Sequence, residues 1–136
     1  MMSEQPRTVS TALPDLGQYY GTTTYMRHTI LPTMHKGLLL TDGVQYVTKE
    51  VGAYWLMDLI LLKCGEWLLE GDGFCTVKLI VGEEEAELVA TDGSNNELHR
   101  EEIEFTDFPS PGIEFFMQYT QTDRGAEPVI MLTSEY

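Results

Sequence analysis

Positive charge is what this chain has least of. Lysine and arginine together number 8 against 22 aspartate and glutamate residues, so the formal net charge is −14. Phosphate backbones and anionic lipid headgroups repel a chain of this charge. Direct nucleic-acid binding and membrane-surface binding are therefore poor hypotheses, and a basic protein surface is the kind of partner that the charge favours.

Cysteine is also scarce. The only two, Cys64 and Cys75, are eleven residues apart in the segments LLKCGEW and GFCTVKL. They lack the CxxC spacing of a redox pair or a zinc site. Their apolar neighbours indicate two free, buried thiols in a reducing compartment.

Long hydrophobic runs are missing as well. The longest, Ala53 to Leu62, is interrupted by Asp58 and is too short to cross a bilayer. Residues 1–14 are polar and lack the apolar core of a signal peptide, so we expect a flexible leader and a cytoplasmic protein. The remaining residues, 15–136, have enough hydrophobic content for a single folded domain.

No motif for catalysis or cofactor binding is present. The sequence contains no GxSxG, GxGxxG or GxxxxGK segment, and no two of its histidines (His28, His35, His99) have metal-ligand spacing. The loop TDGSNNE, which includes Asp92, is too short for an EF-hand and is typical of a β-hairpin turn. We therefore expect no metal, no cofactor and, on balance, no enzymatic activity.

Asp58 is the one acid in an apolar setting, in the segment YWLMDLILL. An unpaired charge there is costly, so it either lies on a solvated stripe of its helix or pairs with His28, His35 or Lys63. The functional alternative is a pocket residue with a raised pKa. A small enzyme or ligand-binding domain with a pocket near Asp58 thus stays open as an alternative.

Helix signals occupy the first half of the chain. Thr41 or Asp42 is a suitable N-cap for a first helix, and Gly52 is suited to its C-cap. A second helix, apolar nearly all round, is predicted from Ala53 to about Leu69, with Gly65 as a candidate kink. A short helical turn is predicted for Asp15 to Tyr20.

Strand signals follow. Thr22 to Ile30 is a candidate strand, and beyond Gly73 the hydrophobic period changes to two. Five strands are predicted there: Phe74–Val81, Glu87–Thr91, Leu98–Phe105, Ile113–Tyr119 and Val129–Leu132. The expected fold is α+β, an antiparallel meander of about five strands with two main N-terminal helices packed on one face.

Most of the negative charge comes from one segment, 83–107. It contains a single base, Arg100, and ten acids: Glu83, Glu84, Glu85, Glu87, Asp92, Glu97, Glu101, Glu102, Glu104 and Asp107. If two of its strands pair, a hairpin about 27 Å long has one carboxylate per roughly 3 Å, against one charge per ~1.7 Å in duplex DNA. The ten acids are therefore the predicted partner-binding residues. The structural alternative is a solvated sheet edge that prevents aggregation.

Three segments carry a resemblance: TDGVQYVTKEVGAYWLMDLI from Thr41, TDFPSPGIEFF from Thr106, and the terminal PVIMLTSEY. Together they resemble a family of small bacterial proteins of unknown function. The resemblance implies a loose association with plasmids, phages and other mobile DNA, where small acidic proteins often inhibit host defence systems. It defines no catalytic residues.

These observations lead to three hypotheses. The first is a non-enzymatic acidic protein that inhibits a nucleic-acid-binding defence complex, of the anti-CRISPR or anti-restriction type, by presenting an acidic hairpin to a nuclease or CRISPR effector. The second is the small enzyme or ligand-binding domain near Asp58. The third is a plain accessory domain that forms a homodimer.

Overall fold

A computed structural model describes residues 25–104 and 108–136, which form a seven-stranded mixed sheet with two helices on one face. In chain order the elements are β1 (Met26–His28), β2 (Leu38–Leu40), α1 (Asp42–Val51), α2 (Tyr54–Glu70), β3 (Phe74–Val81), β4 (Ala86–Thr91), β5 (Glu97–Ile103), β6 (Gly112–Thr122) and β7 (Gly125–Leu132). The α+β class is confirmed. The predicted leader and the helical turn at 15–20 lie outside the described residues.

Helix α1 begins and ends where the sequence predicts. The backbone N–H of Val44 donates to the Thr41 hydroxyl oxygen, which caps the first turn. Gly52 takes the left-handed conformation at φ 67° and its N–H donates to the carbonyl of Thr48. Val44 and Val47, one turn apart, are buried against the sheet.

Helix α2 is buried along most of its length. Its core residues are Leu56, Met57, Ile60, Cys64, Trp67 and Leu68. The helix is continuous through Gly65, which is exposed and has open space where a Cβ would lie. No helix in the described part of the chain is long and apolar enough to cross a membrane.

All five strands predicted after Gly73 are present, with bounds that differ by a few residues. Alternation explains the agreement, since Cys75, Val77 and Leu79 of β3 are buried on the helix face while Lys78 is exposed. The residue at 105, which the sequence placed in the third of these strands, lies outside the described residues.

The predicted topology is only partly right. The order across the sheet is β1-β2-β7-β6-β3-β4-β5, so β3, β4 and β5 form a meander but β6 returns to the other side of β3. Strands β6 and β7 then form a hairpin, and β2 pairs with β7 in parallel, with Leu39 opposite Val129. The sheet is therefore mixed and has seven strands rather than about five.

A buried ion pair connects the two ends of the chain's described part. Nε and Nη2 of the Arg27 guanidinium in β1 donate to the Glu127 carboxylate in β7, at 2.8 and 2.7 Å. Glu127 is fully buried and also accepts from the Gly37 N–H and the Thr122 hydroxyl. These partners lower the pKa of Glu127 to about 2, with the Arg27 hydrogen bonds as the largest cause.

Candidate functional site: an acidic corner of the sheet

The tight turn between β3 and β4 concentrates negative charge at one end of the sheet. The N–H of Gly82 donates to the carbonyl of Glu85 at 2.8 Å, which closes the turn. Glu83, Glu84 and Glu85 are all exposed there. Because β5 is antiparallel to β4, its last residues return to the same end.

A surface hollow of about 300 Å³ lies between this turn and the end of β5. Four carboxylates line it, those of Glu83, Glu84, Glu85 and Glu104. Its other lining residues include Val81, Ala86 and Ile103, whose side chains supply apolar surface. A hollow lined by both apolar and acidic residues has the chemistry to hold a lysine or arginine side chain, whose aliphatic stem and charged head need different surroundings.

A second hollow of about 230 Å³ continues this surface around the sheet edge, and Glu85, Glu87 and Glu102 are among its lining residues. A third hollow, of about 370 Å³, lies beside Lys78 and Glu114 and is not part of the acidic surface. The first two share Gly82 and Glu85, so the acidic surface is continuous from the turn to the open face of β4 and β5.

Arg100 neutralises part of the acidic segment. Its guanidinium donates to Glu97 at 3.0 Å and also to Glu87, on the face of the sheet away from the helices. This ion-pair geometry raises the pKa of Arg100, chiefly through the hydrogen bond to Glu97. The single base of the segment is therefore occupied before any partner arrives.

Five carboxylates at this end of the sheet have no cationic partner among the described residues. Within residues 25–104 and 108–136, no ion pair involves Glu83, Glu84, Glu85, Glu102 or Glu104. We call these five residues the acidic corner. All five are exposed, and the fold places them at one end of β3, β4 and β5, where the described part of the chain supplies no neutralising side chain.

The other predicted residues lie elsewhere. Asp92 holds the β4–β5 turn, where it accepts from the Asn96 side-chain amide and from the Asn96 and Ser94 backbone N–H groups, and these bonds, chiefly that of the Asn96 side chain, lower its pKa. Glu101 points to the helix side and bonds His99 at 3.0 Å. Asp107 lies outside the described residues. The hairpin of β4 and β5 forms as predicted. Its carboxylates do not all lie on one outer face and tip, because alternation directs some of them to the helix side and the β3–β4 turn holds others at the opposite end from the tip.

Asp58 forms the pair that the structural explanation anticipates. His28 Nε2 and Asp58 Oδ1 are 2.7 Å apart, and the Asp58 side chain is 50% exposed. The Tyr54 ring stacks beside His28, with centroids 6.3 Å apart. The three hollows given above are lined by other residues.

The thiols are free and buried, as predicted. Burial raises the pKa of Cys64 to about 11 and that of Cys75 to about 12. Among the described residues no group of three or more His, Cys, Asp or Glu side chains is arranged to hold a metal ion.

The comparison with protein families gives the family to which this chain belongs. Residues 10–136 match the model of a family described as "Family of unknown function (DUF6876)". The match covers nearly the whole chain, so the protein belongs to this family. No curated protein and no solved structure gives a significant match.

The sequence segments that resemble the family contain residues that stabilise the described fold. Gly112, in TDFPSPGIEFF, takes φ 109° and lies so close to the Leu79 carbonyl that no Cβ fits. Glu135, in the terminal SEY, accepts from the backbone N–H of Gly43. The sequence did not identify Val81 and Ile103 as lining residues of a hollow. An apolar residue that alternates along a strand shows the same sequence pattern whether or not acidic residues surround it.

Proposed function

We propose that the protein is a non-enzymatic binding protein whose acidic corner engages a basic surface on a partner protein. The observation that supports this best is the absence of any neutralising cation beside Glu83, Glu84, Glu85, Glu102 and Glu104 in the described chain. A field of this kind steers a basic partner and aligns it on contact. Each exposed ion pair adds about 0.2–1 kcal/mol, so several must act together.

The shape of the surface favours a compact contact. The hollow of about 300 Å³ accepts a basic side chain from a partner, with its stem on Val81 and Ile103. Since four of the ten predicted acids are bound to Arg100 or His99 or hold a turn, the surface is shorter than a full hairpin of evenly spaced charges. A basic patch a few residues wide is the matching partner feature.

We further propose that the partner is a protein that normally binds nucleic-acid phosphates, such as a bacterial nuclease or a CRISPR effector. Surfaces of this class carry clustered Lys and Arg side chains that are free before the nucleic acid binds. An acidic protein that occupies them competes with DNA or RNA and acts as an inhibitor. The loose association with mobile DNA that the family resemblance implies favours the same class.

Displacement of DNA tests this proposal. A purified bacterial nuclease or CRISPR effector bound to a fluorescent duplex is titrated with the protein at about 50 mM and about 500 mM salt. We expect displacement at low salt, weakened about tenfold in the double variant Glu84→Lys/Glu104→Lys. The matched control is Glu66→Lys/Glu70→Lys, which makes the same change of charge on the exposed side of α2. Equal displacement by the two double variants, or none by the unchanged protein, contradicts the proposal.

A further inference from the structure

Strand β5 is an edge strand of the sheet that the described residues form. The strand order ends with β5, which pairs with β4 on one side, and no strand of the described chain pairs with its other side. In such a strand every second residue directs its backbone N–H and C=O away from the sheet. A row of unpaired backbone groups is a template for another extended chain.

The two edges of the sheet differ in this respect. At the opposite edge β1 has only three residues, and its Arg27 is fixed by the buried ion pair with Glu127. Strand β5 has seven residues, Glu97–Ile103, enough for several pairs of backbone hydrogen bonds. The longer edge is therefore the better platform for an added strand.

Charge decides what kind of strand fits. On the face away from the helices β5 presents Glu97, Arg100 and Glu102, and Arg100 is held by Glu87 and Glu97. Glu102 forms no ion pair with any residue that the structure describes, and Glu104 follows directly after the strand. Because side chains alternate along a strand, residues 102 and 104 lie on the same face of the sheet. Every second side chain of an added strand would lie on that face beside them.

We infer that the β5 edge receives an extended, basic segment of the partner protein by strand addition. Lysine or arginine at alternate positions of that segment faces Glu102 and Glu104, while its backbone bonds the outward N–H and C=O groups of β5. This inference rests on the proposed function, since it specifies how the basic partner docks beside the acidic corner. The backbone hydrogen bonds contribute affinity, and the cationic side chains at alternate positions contribute specificity for the partner.

A second copy of this chain fits the edge poorly. Antiparallel pairing of two β5 strands about their middle residue brings the two Arg100 side chains opposite each other, and each chain carries a net charge of −14. Like charges in direct cross-strand pairs are unfavourable. A basic segment avoids the repulsion between two acidic chains, and its cations are placed beside Glu102 and Glu104, beyond Arg100.

Peptides that separate backbone bonding from charge test the inference. A fluorescent decapeptide of alternating lysine and valine is compared, by polarisation at low salt, with two twins N-methylated along one strand edge or the other. The charge is the same in all three, but each twin loses the N–H donors of one edge. We expect at least one twin to bind tenfold or more weakly, and we expect the parent peptide to protect alternate β5 amides from hydrogen exchange.

Each outcome has a definite meaning. Equal binding of all three peptides without protection of β5 overturns strand addition and leaves the proposed basic contact standing. No binding of any peptide, with the unchanged protein folded by circular dichroism, overturns both. The variant Glu102→Lys/Glu104→Lys weakens the parent peptide tenfold or more and Glu66→Lys/Glu70→Lys does not; the reverse pattern contradicts the inference. A dimer in light scattering whose amide protection maps to β5 assigns the edge to a second copy and also overturns it.

Discussion

The carboxylate of Glu135, the penultimate residue, caps helix α1, whose first turn begins at Asp42. Its Oε2 accepts from the Gly43 N–H at 2.9 Å, while Oε1 accepts from the Thr41 hydroxyl and the Leu132 N–H. A negative charge at a helix N-terminus is favourable, and this one is buried with its hydrogen bonds satisfied. The chain end therefore stabilises the start of α1, far away in sequence.

Glu135→Gln should destabilise the protein by about 1–3 kcal/mol, because the amide has one acceptor oxygen where the carboxylate has two and carries no charge. Urea unfolding followed by circular dichroism measures the change. The control Glu66→Gln makes the same replacement at an exposed site and should stay within about 0.5 kcal/mol of the unchanged protein. Equal effects at the two sites would show that Glu135 is not a cap.

Acid should weaken the fold through Glu127. The pKa of this residue is about 2 in the folded state, below its ordinary value of 4.5, so the fold favours the charged form. Its contribution is complete above about pH 4.5 and is lost as the pH falls toward 2, an effect of about 3 kcal/mol at most. Unfolding free energies measured from pH 7 to pH 2 test this.

The variant Glu127→Gln provides the comparison. It leaves Arg27 facing a neutral group, so it should be less stable at pH 7 by about 3 kcal/mol. Its stability should fall less steeply below pH 4.5 than that of the unchanged protein. Asp92, whose pKa is also lowered, is present in both proteins and cannot account for the difference. Parallel pH profiles would exclude Glu127 as the cause.

Two glycines should respond in opposite directions to alanine. Gly65 is exposed inside α2 with open space around its Cα, so Gly65→Ala should stabilise the protein by about 0.5–1 kcal/mol. At Gly112 a Cβ would lie 1.8 Å from the Leu79 carbonyl oxygen, and φ is 109°. Gly112→Ala should therefore destabilise the fold strongly. Thermal unfolding of both variants measures the contrast, and similar shifts would contradict it.

Both thiols should resist alkylation in the folded protein. Burial raises the pKa of Cys64 to about 11 and that of Cys75 to about 12, so little thiolate exists at pH 8. Iodoacetamide should modify the two cysteines only after unfolding in denaturant, as followed by mass spectrometry. Fast modification of the folded chain would show that the helix–sheet core opens easily.

The sequence predicts the elements better than their arrangement. Caps at Thr41 and Gly52 and the alternation of β3 are local signals, and they give correct helices and strands. Strand β2 was not predicted. Leu38, Leu39 and Leu40 are all buried, and three consecutive apolar residues show no period of two. Its parallel pairing with β7 depends on contacts about 90 residues apart, which local patterns do not encode.

The sequence predicts which residues make the region acidic, but it does not predict where their side chains lie. The acidic segment is plain in the sequence, yet the fate of each acid depends on its tertiary partner. Glu127 lies outside that segment and is fully buried, because Arg27 from another strand pairs with it. Glu101 turns toward His99 on the helix side, whereas Glu102, its neighbour, is exposed. A step of one residue along a strand moves the side chain to the other face of the sheet. The strand register seen in the structure is therefore needed to tell acids that can bind a partner from acids that stabilise the fold.

The most direct test of the central claim is an NMR titration with the unmodified alternating lysine–valine decapeptide. The amide resonances of Gly82 to Ala86 and Glu102 to Glu104 should shift with peptide at low salt, and the shifts should vanish at about 500 mM salt. Resonances near Asp58 and His28 should stay unchanged. Shifts confined to Asp58 and its neighbours, or spread evenly over the surface and indifferent to salt, would contradict the assignment of the acidic corner as the binding surface.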